Sequence, residues 1–247
     1  MKTYGLIGYP LAQSFSQKYF TAKFENEHIN ARFLNFEIPS VDELPQLLDR
    51  HPYIAGFSVT IPHKENVFKY LNQLDDSARL IGAANVIKVV WHGNKPSLIG
   101  YNTDLIGFSE SLKPMLKPHH NKALILGTGG AAKAIAHAFD LMGIERKYVS
   151  RTPADESTYS YTQLDEHILN DYTIIVNCTP LGMFPNNNTC PDIPYHLISD
   201  KHLLYDLTYN PEITLFMQKG LDNGSTAKNG LEMLHLQAEA AWRIWNE

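Results

Sequence analysis

Cysteine is scarce in this chain: 247 residues contain only Cys178 and Cys190. Two thiols cannot build the disulfide framework of a small secreted fold, and these two lack the paired spacing of a zinc site. A reducing cytoplasm is therefore the expected location, and no metal is expected. Long apolar runs are also lacking, so no segment reads as a bilayer span. The amino terminus enters a strand-like run at Tyr4-Gly5-Leu6-Ile7-Gly8 without a basic leader region. Positive charge is not in excess: 21 Lys and Arg against 26 Asp and Glu give a net charge of -5. With no basic run either, neither nucleic acid nor membrane is an expected partner. Internal repeats and low-complexity stretches are absent. Asn187-Asn188-Thr189 and Asn223-Gly224-Ser225 match glycosylation sequons, which have no meaning without secretion.

What is present is an alternation of strand and helix signals. The length allows one large or two modest domains with ample core. Strands are expected at residues 3–8, 32–38 and 54–59. One helix is expected after Ser16 and another after Ser40, where Ser40-Val41-Asp42-Glu43 reads as a capping box. Pro62 suits the first turn of a short helix carrying Lys64. Residues 86–91 and 97–100 read as a hairpin around His92-Gly93-Asn94. Thr103 can cap a helix running to about Leu116, and Lys117-Pro118-His119-His120-Asn121 then breaks the pattern as a solvated linker. Further strands are expected at 172–177, 202–207 and 225–227, with helical stretches at 161–170 and 211–219. Leu231, Leu234, Ala238, Ala241, Trp242 and Trp245 recur at spacings of three and four, one apolar helix face. The expected fold class is α/β in two domains with a cleft between them. A substrate-binding catalytic domain takes residues 1–103 and the returning C-terminal helix 231–247; an inserted Rossmann-type, doubly wound nucleotide-binding domain takes 104–230.

The most informative segment is Leu126-Gly127-Thr128-Gly129-Gly130-Ala131-Ala132. It follows the apolar run Ala123-Leu124-Ile125-Leu126 and precedes a helical run from Lys133. Gly127, Gly129 and Ala132 have G-x-G-x-x-A spacing. The first glycine permits a tight turn, the second lets backbone approach a pyrophosphate, and the alanine keeps helix and strand close. Glycine turns between strand and helix also occur for packing reasons, so the turn gains weight from its context. About twenty residues on, where an NAD site places an acid on the ribose 2′-hydroxyl, stand Ser150 and Arg151. A guanidinium pairs with a phosphate that a carboxylate would repel, which points to NADP. Taken alone, Arg151 also reads as a solvated surface residue.

Several polar groups follow the strands of the first domain, where α/β folds place ligand sites. Ser14 and Ser16 follow the first strand, Thr60 and Lys64 the third, Asn85 lies in Gly82-Ala83-Ala84-Asn85, and Asp104 ends Asn102-Thr103-Asp104. Hydroxyls, an amide, a cation and a carboxylate suit a polyhydroxylated carboxylate ligand. Singly, each has a plainer reading: serine as a cap, Lys64 as a solvated helix residue, Asp104 as a first-turn acid.

Together the motifs resemble the shikimate dehydrogenase family over essentially the whole chain. The resemblance rests on Ser14-Phe15-Ser16, on Val59 to Lys64, on Gly82–Asn85, on Asn102–Asp104, and on Asn177-Cys178-Thr179-Pro180-Leu181-Gly182-Met183. Tyr205 to Pro211 and Gly230 to Gln237 complete it. It implies NADPH-dependent, reversible reduction of 3-dehydroshikimate in chorismate and aromatic amino acid biosynthesis. Lys64 and Asp104 are then the catalytic pair. Ser14, Ser16, Ser58, Thr60, Asn85, Tyr209 and Gln237 join them in binding substrate. Gly127, Thr128, Gly129, Gly130, Ala131, Ser150, Arg151, Thr179, Leu207, Gly230 and, nine residues before Asn85, Asp76 hold the cofactor. The expected partner is a small molecule, with the chain a monomer or homodimer. The alternatives are an NAD-using quinate/shikimate dehydrogenase and a non-catalytic ligand sensor on the same fold. An acid at Ser150 or Arg151 would favour the first; loss of Lys64 or Asp104, or an added DNA-binding segment, would favour the second. Three departures stand out. Ser58 occupies a position where the family has Asn, which leaves room for water or changes which ring hydroxyl is read. Ser150-Arg151-Thr152-Pro153-Ala154-Asp155 lacks a second basic residue, which weakens the NADP preference. The sequence also stops at Trp245-Asn246-Glu247, where many relatives continue into another helix, so apolar surface is expected there, either exposed or covered by a partner.

Overall fold

The computed structural model describes residues 1–11 and 14–247. The chain divides into two compact units, Met1–Asp104 with Gln237–Glu247, and Leu105–Leu236.

The first unit contains β1 (Lys2–Gly8), α1 (Phe15–Asn26), β2 (Ala31–Glu37), α2 (Leu44–Arg50), β3 (Ile54–Val59), α3 (His63–Asn66), β4 (Gln73–Leu74), α4 (Asp76–Ile81), β5 (Val86–His92) and β6 (Lys95–Tyr101). Its sheet has the order β2-β1-β3-β5-β6-β4. β1, β2 and β3 run parallel, and β5 and β6 form an antiparallel hairpin whose β5 pairs antiparallel with β3. Successive strand residues point to opposite faces, and both faces are buried. Ile7, Phe57 and Ile87 face one cluster with Leu44, while Tyr4, Leu6 and Val86 face another with Phe20 and Trp245. Trp245 is only 4% exposed, and its Nε1 donates to Ile87 O at 3.0 Å. Its indole occupies the space that a Cβ on Gly56 would need. The last helical turn thus buries its apolar face in this unit.

The second unit contains most of α5 (Asp104–Leu112), then β7 (Lys122–Leu126), α6 (Gly130–Met142), β8 (Glu145–Ser150), β9 (Thr158–Ser160), α7 (Glu166–Asp171), β10 (Ile174–Asn177), β11 (Leu203–Asp206), α8 (Leu215–Asp222), β12 (Thr226–Lys228) and the start of α9 (Leu231–Asn246). The sheet is wholly parallel in the order β12-β11-β10-β7-β8-β9. The order reverses between β7 and β10, the topological switch point at which open α/β sheets take ligands. Short apolar runs such as Leu124, Ile125 and Leu126 are buried throughout, as strands covered on both faces require.

Element boundaries depart from the expected ones for local reasons. α1 starts at Phe15, because Ser14 Oγ accepts from Gln17 N at 3.1 Å and makes Ser14 the cap. α5 stops at Leu112, since Pro114 allows only a 3-10 turn, Lys113–Met115. The stretch at 161–170 splits into a 3-10 turn, Tyr161–Gln163, and α7, which Asp165 caps. α8 begins at Leu215, capped by Thr214, and leaves Pro211 outside. The unit boundaries also move. Asp104 belongs to the first unit, and residues 231–236 belong to the second. Met233 packs in the second unit's core, and Ala238, Ala241 and Trp245 pack in the first's, so the split runs within α9. Cys178 and Cys190 are free thiols. Among the described residues no helix is long and apolar enough to cross a membrane.

Candidate active site

In the first unit the strand register brings the polar residues to one edge of the sheet. Ile7 pairs with Val59, Ser58 with Val86, and Val86 with Tyr101. Thr60, Asn85 and Asn102 therefore leave the sheet at the same edge. Thr60 N donates to Ile7 O, Asn85 N to Tyr101 O, and Val59 N to Asn85 O. Lys64 lies in the single turn of α3, and its carbonyl accepts from Ala84 N at 2.8 Å. The V-T-x-P-x-K and G-A-x-N segments are thus joined through backbone.

Four of the expected residues meet in one hydrogen-bonded group. Lys64 Nζ donates to Asp104 Oδ2 at 2.6 Å. Asn85 Nδ2 lies within reach of Asp104 Oδ1 at 2.9 Å, Thr103 Oγ1 at 3.0 Å and Gln237 Oε1 at 3.1 Å. The pair is unequally exposed, with the Lys64 side chain at 18% and Asp104 at 3%. An ammonium has three donors, so those not directed at Asp104 remain for a ligand. Asn102 and Thr103 hold the arrangement, although Thr103 is expected only as a helix cap and Asn102 only as part of its motif. Asn102 Oδ1 accepts from Asp104 N, Asn102 Nδ2 donates to Ala83 O, and Thr103 N donates to Asn85 Oδ1 at 2.7 Å. Their signal was the N-T-D motif itself. Both carboxylate oxygens of Asp104 are occupied by donors that also fix its rotamer.

The remaining substrate residues lie outside that group. Ser14 caps α1, and Ser16 sits half-buried in its first turn. Ser58 and Thr60 are half-buried at and just beyond the end of β3, and the Thr60 methyl occupies the space that a Cβ on Gly8 would need. Tyr209 belongs to the second unit, where burial pushes its phenol above the usual range.

At the switch point of the second unit, Gly127 follows β7 with φ 106°, a left-handed conformation that favours glycine. Its Cβ would come within 3.3 Å of the Thr179 methyl, so the turn meets the loop after β10. Gly129 caps α6 with extended backbone, and nothing lies within 4 Å of a Cβ built there. Thr128 is exposed, and Gly130 and Ala131 form the first turn of α6. The Thr179 hydroxyl and amide both donate to Asn177 Oδ1, at 2.6 and 3.0 Å. Asn177 in turn donates to the buried Asp206, which also accepts from Thr208 N and Thr214 Oγ1. Burial pushes the Asp206 carboxyl up, and these donors pull it back. The buried carboxylate ties together the loops after β10 and β11, a support that the Tyr205–Pro211 motif does not announce. Gly230 packs on the backbone of Leu207, where a Cβ would lie 2.7 Å from the Leu207 carbonyl carbon.

Ser150 Oγ accepts from Thr152 N in a turn at the end of β8, and Arg151 is exposed beside it. Asp155 accepts from Ser157 N at 2.9 Å and from the Ser157 hydroxyl, contacts that hold its carboxyl below the usual range. It serves its own turn. Asp76, in the first turn of α4, is exposed and ion-paired with Arg79.

Comparison with known proteins finds relatives over nearly the whole chain. Residues 6–87 match the family model of the shikimate dehydrogenase substrate-binding domain. A shikimate dehydrogenase (NADP(+)) of Methanococcus maripaludis is 35% identical over 99% of this chain and 91% of its own length. One from Desulforamulus reducens is 32% identical over 98% of this chain and 88% of its own. Among solved structures, the Thermus thermophilus shikimate 5-dehydrogenase in complex with NADP(H) and shikimate superposes with a TM-score of 0.86 at 28% identity. That match covers 99% of this chain and 93% of the other.

Proposed function

The chain belongs to the shikimate dehydrogenase family, and from that premise we propose that it reversibly reduces 3-dehydroshikimate to shikimate with NADPH. The step belongs to chorismate and aromatic amino acid biosynthesis and takes place in the cytoplasm, with the enzyme a monomer or homodimer. The observation that carries this reading is the Lys64–Asp104 pair, held by Asn85 and Gln237 at the ligand edge of the first sheet. A sensor has no need of a buried carboxylate locked against a partly exposed ammonium. In a ketone reductase the ammonium can protonate the carbonyl oxygen while the carboxylate orients it.

The second unit suits the nucleotide. The Gly127 turn, the open space above Gly129 and the free N–H groups at the start of the 13-residue α6 form a cradle for a pyrophosphate. Arg151 pairs with the 2′-phosphate, Ser150 and Thr179 flank the nucleotide, and Leu207, Tyr209 and Gly230 border the nicotinamide. When bound, the cofactor supplies or accepts the hydride. Lys64 meets the negative charge that builds on the C3 oxygen and gives it a proton; in the oxidative direction its neutral amine takes that proton back. Asp104 orients the ammonium through Oδ2 and accepts from a neighbouring substrate hydroxyl. Asn85 and Gln237 read the ring hydroxyls, and Ser14, Ser16, Ser58 and Thr60 bind the carboxylate and the remaining hydroxyls. Acid–base help of this kind contributes about 10²–10⁴ in rate.

Initial rates with shikimate and quinate, each with NADP and NAD, test the reading. Shikimate with NADP is expected to be the fastest combination. Absence of shikimate turnover with either cofactor would overturn it, and a faster rate with NAD and quinate would favour the alternative dehydrogenase.

A further inference from the structure

Ser14 stands six residues beyond the end of β1, in a segment that must be held if its hydroxyl is to meet a substrate. The base of the segment is pinned by backbone: Ile38 N donates to Gly8 O, and Tyr9 N donates to Ile61 O, both at 3.1 Å. Further along, the anchors are side chains of β2. Glu37 Oε1 accepts from Leu11 N at 2.9 Å. Asn35 Nδ2 donates to Gln17 Oε1 at 2.9 Å, and Gln17 is the residue whose backbone N–H the Ser14 hydroxyl caps. Asn35 and Glu37 are two apart and lie on one face of the strand. They stand beside Leu6 and Gly8, the β1 residues that lead into the segment. β2 therefore grips the segment on both sides of Ser14, at Leu11 and at Gln17.

Neither grip reads as a device for stability. Glu37 is exposed and makes no ion pair among the described residues, yet its carboxylate takes a backbone N–H 26 residues away. Asn35 leaves its buried Oδ1 without a partner among the described residues, a cost that an apolar residue would avoid. The two contacts hold Leu11 and Gln17, the residues that flank Ser14.

We propose that Glu37, assisted by Asn35, is a positioning residue for substrate binding. Glu37 holds Leu11 and Asn35 holds Gln17, so that the Ser14 and Ser16 hydroxyls are set before the substrate arrives. Pre-set donors avoid the ordering cost that a loose loop imposes on each binding event. The contact involves no reacting atom, so its loss is felt in substrate affinity and much less in the chemical step. The inference rests on the proposed shikimate dehydrogenase activity.

The test compares Glu37→Ala with Glu37→Gln, which keeps an Oε1 acceptor for Leu11 N. Glu37→Ala is expected to raise the shikimate KM about fivefold or more, with kcat and the NADP KM changing less than about twofold. Glu37→Gln is expected to restore most of the lost affinity. Hydrogen exchange at the Leu11 amide is expected to quicken in Glu37→Ala and not in Glu37→Gln, while the thermal midpoint stays close to wild type. An unchanged KM in Glu37→Ala, or equal losses in both variants, overturns the inference. So does unchanged exchange at Leu11. A wild-type chain that turns over no shikimate overturns the parent reading instead, and the exchange measurement still decides whether Glu37 holds the segment.

Discussion

Removing the Lys64 ammonium should have two separable consequences. The first is chemical. Lys64→Ala takes away the cation and proton at the C3 oxygen while leaving Asn85 and Gln237 in place to bind the ring. A loss of at least about 10² in kcat is expected, about 2.7 kcal/mol of barrier, with little change in the shikimate KM. The second is structural. Asp104 is 3% exposed and loses the donor at Oδ2, 2.6 Å away, while keeping Asn85 at Oδ1. Stripping one partner from a fully buried pair costs about 3–5 kcal/mol. With 18% of the Lys64 side chain exposed, water reaches this pair, and a cost of about 1–3 kcal/mol is expected. Lys64→Ala combined with Asp104→Asn separates the two effects. It removes the stranded charge and keeps an oxygen for Asn85, so urea unfolding should recover most of the lost stability while kcat stays low. Steady-state kinetics and urea midpoints on the single and double variants read both quantities. If kcat is unchanged and KM is raised, Lys64 only binds substrate. If kcat recovers along with stability in the double variant, the rate loss came from misfolding and the catalytic assignment fails.

Arg151→Ala should weaken NADP about tenfold or more, from the loss of a charge-assisted contact, and leave NAD nearly unchanged; added salt should narrow the wild-type preference. Equal losses for both cofactors in a binding titration would make Arg151 a loop support. Gly230→Ala forces a methyl onto the Leu207 backbone and should cost about 1–3 kcal/mol in urea unfolding. Gly129→Ala faces open space and should keep the urea midpoint while weakening nucleotide binding; the opposite pattern would remove Gly129 from the phosphate cradle. Stability should fall as the pH drops below about 6.5, because burial holds His120 and His202 below the usual imidazole range. Each Nδ1 accepts a backbone N–H, from Lys117 and Ser199 respectively, and protonation breaks that bond. Lys117 and His119 add like charge beside His120, whereas Asp200 favours the charged form of His202. The unfolded chain binds these protons first, so the contribution is complete above the unfolded value and is lost on acidification, at up to about 1.4 kcal/mol per pH unit for each group. Urea midpoints at pH 7.5 and 5.5 should differ in wild type and converge in a variant with both histidines replaced by asparagine.

The legible parts of this chain are those in which a few adjacent residues determine the outcome. The strand, glycine turn and helix around Gly127 form a local unit, and Gly127 at φ 106° shows why glycine stands there. The Ser40 capping box likewise needs only four residues, and it forms. Elements too short to carry a period escape such reading: β4 has two residues and β9 has three, and their strand character comes from the neighbours they pair with. Helix starts fail where a tertiary bond decides, as at Thr214, whose hydroxyl is tied to the buried Asp206. The site divides along the same line. Lys64 and Asp104 stand out by residue type and motif, but the contact between Asn85 and Gln237 spans 152 positions, and no periodicity links them. Glu37 is harder still. A glutamate at an exposed strand end looks solvated, and its partner is a backbone N–H, which leaves no trace in the identity of Leu11. Residues that touch a ligand must be of particular types and can be found by type. Residues that hold those residues in place need only offer an acceptor at the right point, so many types serve, and only geometry reveals them.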